Sequence, residues 1–151
     1  MSRYMKLLIA KVVGIILVAP TASWANCEKT EIERTLQRNG YTHSHLNTTA
    51  NGRNSFLINK DGGKFVVHVE KDGDASFRRY FRNDDGYTMD NLAVVMNSLK
   101  YIQVYIDSDN DIVMAYDVAV WGNPRCNVDL SENLRLFMNI TEEGEKILSE
   151  G

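Results

Sequence analysis

The chain has only two cysteines, Cys27 and Cys126, among 151 residues. They do not form a Cys-x-x-Cys pair, which argues against a thioredoxin-type redox role. No GxGxxG and no P-loop occurs, so nothing asks for a dinucleotide or a nucleoside triphosphate. No Gly-x-Ser-x-Gly elbow is present to raise a serine nucleophile. Repeats and low-complexity tracts are absent, and past Pro20 the only proline is Pro124. The longest apolar stretch, residues 7–18, is interrupted by Lys11 and Gly14. It is far short of the ~20 residues a helix needs to cross a bilayer.

That stretch reads instead as the core of a secretory signal peptide. Arg3 and Lys6 give a positive start, Pro20 ends the apolar part, and Ser23-Trp24-Ala25 places small residues at −3 and −1 of a cleavage site. Cleavage after Ala25 leaves one domain, residues 26–151, in the periplasm or outside the cell, with no stable membrane insertion. Asn26 precedes Cys27 where a lipoprotein signal wants Gly, Ala or Ser, so a lipid anchor is discounted. An even cysteine count in an exported chain suggests a disulfide, and Cys27–Cys126 is the one intramolecular pairing. The alternative is two free thiols.

Of the 17 basic residues, Arg3, Lys6 and Lys11 leave with the signal; the remaining 14 face 20 acidic ones, a charge of −6. Nucleic-acid binding needs a basic face, so this balance argues against it. Arg78, Arg79 and Arg82 form the only basic cluster, within Phe77-Arg-Arg-Tyr-Phe-Arg82, and read as the solvent side of a strand.

The mature chain starts with a helix signal. Thr30-Glu-Ile-Glu33 fits a capping box, Ile32 and Leu36 share a face, and Gly40 is a stop. Strands are expected over residues 55–60, 64–70 and 76–82. Asp61-Gly62-Gly63 and Asp72-Gly73-Asp74 form the turns between them, and links this short imply an antiparallel meander. A helix capped by Thr88 carries Leu92, Val95, Met96 and Leu99 on one stripe. Ile102, Val104 and Ile106 alternate in the next strand, followed by a strand over residues 112–120. The last helix starts near Asp129, with Leu130, Leu134, Phe137, Met138, Ile147 and Leu148 as its stripe and Gly144 weakening its middle. The order α-β-β-β-α-β-β-α, with about five strands, means an α+β fold in which helices cover an antiparallel sheet.

Asp107, Asp109 and Asp111 alternate like the first ligands of an EF-hand. The sixth position of such a loop is Ile112 where glycine is needed, and the twelfth is Val118, which cannot ligate. A β-hairpin tip explains the run better, since Asp and Asn hydrogen-bond their own backbone; a weak calcium site is the minor alternative. His43 and His45 lie in a polar run before the first expected strand. With His68 they could form a three-histidine zinc site, but His68 should point away from Phe65 and Val67. Asp117, on a strand face with Val113, Ala115 and Ala119, is either a paired or edge-exposed carboxylate or a catalytic one with raised pKa. No cofactor or metal is called for, and no catalytic constellation is seen.

Leu92-x-x-x-Met-Asn97, the Tyr105-Ile-Asp-Ser-Asp-Asn-Asp111 hairpin, the strand ending Tyr116-Asp-Val118, the Gly122 turn and Glu132-Asn-Leu134 together resemble the YbjN family of bacterial sensory transduction regulators. Asn110 stands where that family usually has Gly, Trp121-Gly122 replaces Gly-Gly, and Met96 replaces a Trp. The resemblance implies a fold like that of type III secretion chaperones and no established catalytic residues. The function expected is therefore a non-enzymatic periplasmic module that binds a protein or peptide partner, with homodimerisation open. The alternative is a small-ligand sensor or enzyme with a pocket around Asp117 or the histidines.

Overall fold

The computed structural model describes residues 27–118 and 126–150, the last group without the side chains of 126–129. The expected signal peptide and residues 119–125 lie outside the described residues. The elements are α1 (Lys29–Arg38), β1 (Thr42–Thr48), β2 (Asn54–Lys60), β3 (Gly63–Val69), β4 (Ala75–Arg82), α2 (Met89–Ser98), β5 (Gln103–Ile106), β6 (Asp111–Val118) and α3 (Cys126–Glu150). The fold is α+β, with one sheet of six strands in the order β1-β2-β3-β4-β6-β5 and every pairing antiparallel.

The strand count corrects the expected five. The additional strand is β1, whose sequence Thr-His-Ser-His-Leu-Asn-Thr is polar and carries no clear apolar alternation. Pairing with β2 makes it a strand, and the His43 and His45 rings then pack edge-on against Phe56, with centroids 6.2 and 5.2 Å apart. Strand formation here follows from a neighbour, which local pattern does not report.

Elsewhere local chemistry sets the boundaries. β2 and β3 are joined by two residues, Asp61 and Gly62, at φ of 50° and 82°. Positive φ at both is the type I′ turn that matches strand twist. α1 begins earlier than expected: its N-cap is Glu28, so Thr30 lies inside the helix and does not cap it. Its end follows the Schellman pattern, with Gly40 at φ 74°, Gly40 N–H bonded to Gln37 O and Tyr41 N–H to Leu36 O. α2 starts at Thr88, whose N–H and hydroxyl both donate to Asn91 Oδ1 at 2.9 and 2.8 Å.

All three helices lie on one face of the sheet. α1 and α2 each touch α3, and their Ile32, Leu36, Leu92 and Val95 join the core built on Phe56, Ile58, Phe65, Val67 and Phe77. The Phe137 ring of α3 is fully buried and meets Phe65, Phe77 and Tyr116 at centroid distances of 6.2, 5.8 and 6.5 Å. Burial of such a side chain contributes about 1.5–3 kcal/mol. Gly144 has a packing reason. A Cβ there would sit 2.7 Å from Met114 Cε and 3.0 Å from Leu99 Cδ1, so its absence lets α3 approach β6 and α2.

Arg79 is a second correction, because it is not on the solvent side of β4. Strand parity sends it beneath α3, where it is 8% exposed. Its guanidinium stacks on Phe65 and Phe81, donates to Thr141 Oγ1 at 3.3 Å and pairs with Glu145 at 2.7 Å.

Candidate functional site

With the helices on one side, the described residues leave the other face of the sheet uncovered. The alternation of β2, β3, β4 and β6 places Ser55, His68, Ser76 and Asp117 on that face. Register brings them into one row. Ser55 opposes His68, His68 opposes Ser76, and Ser76 opposes Asp117. The row is hydrogen-bonded at both ends: Ser55 Oγ lies 2.8 Å from His68 Nδ1, and the Ser76 hydroxyl donates to Asp117 Oδ1 at 2.6 Å. Arg78 sits diagonally across from Asp117 and grips it with two N–H donors at 2.8 and 3.3 Å. Arg53, just before β2, pairs with Glu70 at the far end of β3.

The electrostatics follow from this arrangement. For Asp117, partial burial pushes the pKa up, but the hydrogen bonds from Arg78 and Ser76 and the nearby positive charge outweigh it. The carboxyl therefore titrates below the usual range. The direction is opposite to that of a raised catalytic acid, and the contacts with Arg78 and Ser76 give the paired reading. His68 is held below its ordinary value, first by burial and then by Arg53 and Arg78, with Glu70 and Asp117 opposing. Both effects favour the uncharged imidazole.

Ser55 and His68 are a hydroxyl–imidazole pair, the elementary unit of nucleophilic catalysis. Ser55 is 3% exposed, however, and Asp117 is occupied by Arg78 and Ser76. A substrate carbonyl has poor access to this hydroxyl, so the row favours cross-strand bracing. Further along the face, Tyr80 and Tyr105 both oppose Val113, which is fully buried between them. Burial, then the Tyr105 neighbour, raises the Tyr80 phenol above its usual pKa.

The three histidines do not meet in one site. His43 and His45 point to the core face at the β1 edge, where His43 Nδ1 lies 3.2 Å from Tyr41 O and His45 Nε2 3.0 Å from Thr48 Oγ1. His68 is on the opposite face, as the alternation with Phe65 and Val67 required. Among the described residues, no group of three or more His, Cys, Asp or Glu is arranged to hold a metal ion.

The acidic hairpin tip is a turn. Asp107 Oδ1 accepts the Asp109 and Asp111 N–H groups at 3.0 and 2.9 Å, which leaves it turned inward on its own backbone. Asn110 takes φ 66°, the left-handed conformation that Gly or Asn tolerates best. Cys27 is buried beneath the core and is disulfide-bonded. Cys126 opens α3, and its side chain is outside the described residues. No helix among the described residues is long and apolar enough to cross a membrane.

The Ser55–His68 pair is not among the residues that the sequence pattern singles out, although the sequence carries a signal for it. Once the β2–β3 turn has two residues, counting outward from it places Ser55 opposite His68. A three-residue turn, Asp61-Gly62-Gly63, leaves that register open. The chain matches no family model, no curated protein and no solved structure.

Proposed function

We propose that this chain is a non-enzymatic, exported module that binds a protein or peptide partner, with a YbjN-like, secretion-chaperone-like domain closed by a Cys27–Cys126 bridge. The observation that carries the reading is the exposed sheet edge beside an uncovered sheet face. β1 is an outer strand of seven residues with no Lys, Arg, Asp, Glu or Pro to blunt its edge, and a bulge between His45 and Asn47 is the one device of that kind it carries. Its outward backbone groups suit strand addition, in which main-chain hydrogen bonds supply affinity and side-chain pockets supply selectivity. The other edge, β5, has only four residues and ends at the acidic turn, so it is the poorer template.

The experiment is crosslinked capture of the tagged protein from the periplasm of its own host, read by mass spectrometry, beside a Ser44→Pro variant. Proline removes a backbone donor and disfavours continued pairing. One dominant partner at near-stoichiometric yield, lost or much reduced in Ser44→Pro, supports docking at β1. Only self-crosslinks and background would count against protein binding and direct the search to small ligands.

A further inference from the structure

Among the described residues, His68 is the one histidine on the uncovered face, and the charges around it are balanced when its ring is neutral. From the β2 side it is faced by Ser55 and by Arg53. Along its own strand it has Glu70, from β4 Ser76 and Arg78, and from β6 Asp117. Two cations and two anions surround it, each cation already in an ion pair, Arg53 with Glu70 and Arg78 with Asp117. The hydroxyl of the buried Ser55 reaches His68 Nδ1 at 2.8 Å. With the ring neutral, this bond forms in either tautomer, the hydroxyl rotating to donate to a bare Nδ1 or to accept from an Nδ1–H. With the ring protonated, Nδ1 carries a proton and Ser55 can only accept.

We propose that the Ser55–His68 pair is a proton-operated latch on the uncovered face: protonation adds a third cation between Arg53 and Arg78, turns a charge-balanced row net positive, and loosens the β2–β3–β4 registration. No carboxylate is free to neutralise the added proton, since Glu70 and Asp117 are already engaged. The physical result is a row that is charge-balanced with His68 neutral and net positive with it protonated. This does not rest on the binding function proposed above.

The direction of the stability change follows from the histidine's depressed pKa. In the unfolded chain the ring takes its proton near the ordinary value of about 6.5. The folded state takes it only at lower pH. As pH falls below about 6.5 the unfolded state gains protons first, so stability is lost from there down through the folded-state pKa.

The test is an NMR titration of the imidazole resonances of the full chain from pH 8 to pH 4, with urea unfolding midpoints at each pH for wild type and His68→Gln. The expected result is a His68 midpoint below 6.5, moving upward in Arg53→Gln because one opposing cation is gone. Wild type should lose midpoint between pH 6.5 and 5, and His68→Gln should lose less over that range. A His68 midpoint at or above 6.5 would overturn the latch, as would superimposable stability profiles of wild type and His68→Gln. If His68→Gln does not fold, the titrations of wild type and Arg53→Gln still decide: no upward movement in Arg53→Gln refutes the charge coupling.

Discussion

Replacing Gly144 by alanine sets two opposite effects against each other, and the structure says which one wins. Glycine inside a helix is about 1 kcal/mol less favourable than alanine, so on an exposed helix face Gly144→Ala would stabilise α3 by about that amount. At this position the new Cβ would lie 2.7 Å from Met114 Cε, 2.9 Å from Met114 Sδ and 3.0 Å from Leu99 Cδ1. The nearest atoms are the far end of a flexible methionine, which would normally yield at little cost. Met114 is fully buried, however, and has core on all sides, so its sulfur and methyl have nowhere to go without displacing α3 or Leu99. Overpacking of this kind costs about 1–3 kcal/mol. The net expectation is a destabilisation of up to about 2 kcal/mol, centred near 1, after subtracting the propensity gain. Urea unfolding reads it directly: with a slope of about 1–3 kcal/mol per molar, the midpoint falls by a few tenths of a molar or more at unchanged slope. The double variant Gly144→Ala with Met114→Val removes the atoms that clash. Its loss should be smaller than the sum of the single losses, by about 0.5 kcal/mol or more, as expected for side chains in contact. A rise in stability of about 1 kcal/mol for Gly144→Ala alone would refute the reasoning, because it would mean that helix propensity acts unopposed.

Further outcomes follow from other parts of the fold. Arg79→Ala removes the packing against Phe65 and Phe81 and should cost about 2–3 kcal/mol in chemical denaturation, whereas Arg79→Met keeps the aliphatic volume and should cost less than half as much, since Glu145 is 53% exposed and can return to water. Asn110→Ala should lower the thermal midpoint by the equivalent of about 1 kcal/mol, the cost of a left-handed conformation with an ordinary side chain, and Asn110→Gly should be neutral or slightly stabilising. Reduction with dithiothreitol should lower the melting temperature by the equivalent of up to about 4.7 kcal/mol if Cys27 is tied to Cys126 across a loop of about 100 residues, and a single free thiol per chain before reduction would contradict the bridge.

The elements that could be read from sequence are those in which neighbouring residues carry the cause. The β2–β3 turn needs two positive φ values, and Asp61-Gly62 supplies them. The stripe Leu92, Val95, Met96 and Leu99 buries one side of α2 because 3.6 residues complete a turn. The acidic tip at Asp107 closes on its own backbone, which Asp and Asn do without help from elsewhere in the chain. Local pattern is silent or misleading where the cause lies in another element. β1 shows no strand pattern of its own and exists because β2 offers it an edge. Thr30 has the right neighbours for a cap, but α1 starts a turn-fraction earlier, at Glu28. Arg79 looks like its neighbours Arg78 and Arg82 until strand parity puts it beneath α3.

By itself, then, the sequence determined the α+β class, the short antiparallel connections, most strand and helix positions and the nature of the acidic turn, because propensity, periodicity and turn chemistry act within a few residues. Only the tertiary structure decided which face of the sheet the helices cover, that Gly144 is a contact surface for Met114, and that Ser55, His68, Ser76 and Asp117 form one row. These depend on strand register and helix placement between distant parts of the chain, 41 positions apart in the Ser76–Asp117 bond and 66 in the Arg79–Glu145 pair. Burial and charge at His68 are products of that long-range assembly, so its depressed pKa had no counterpart in the local sequence.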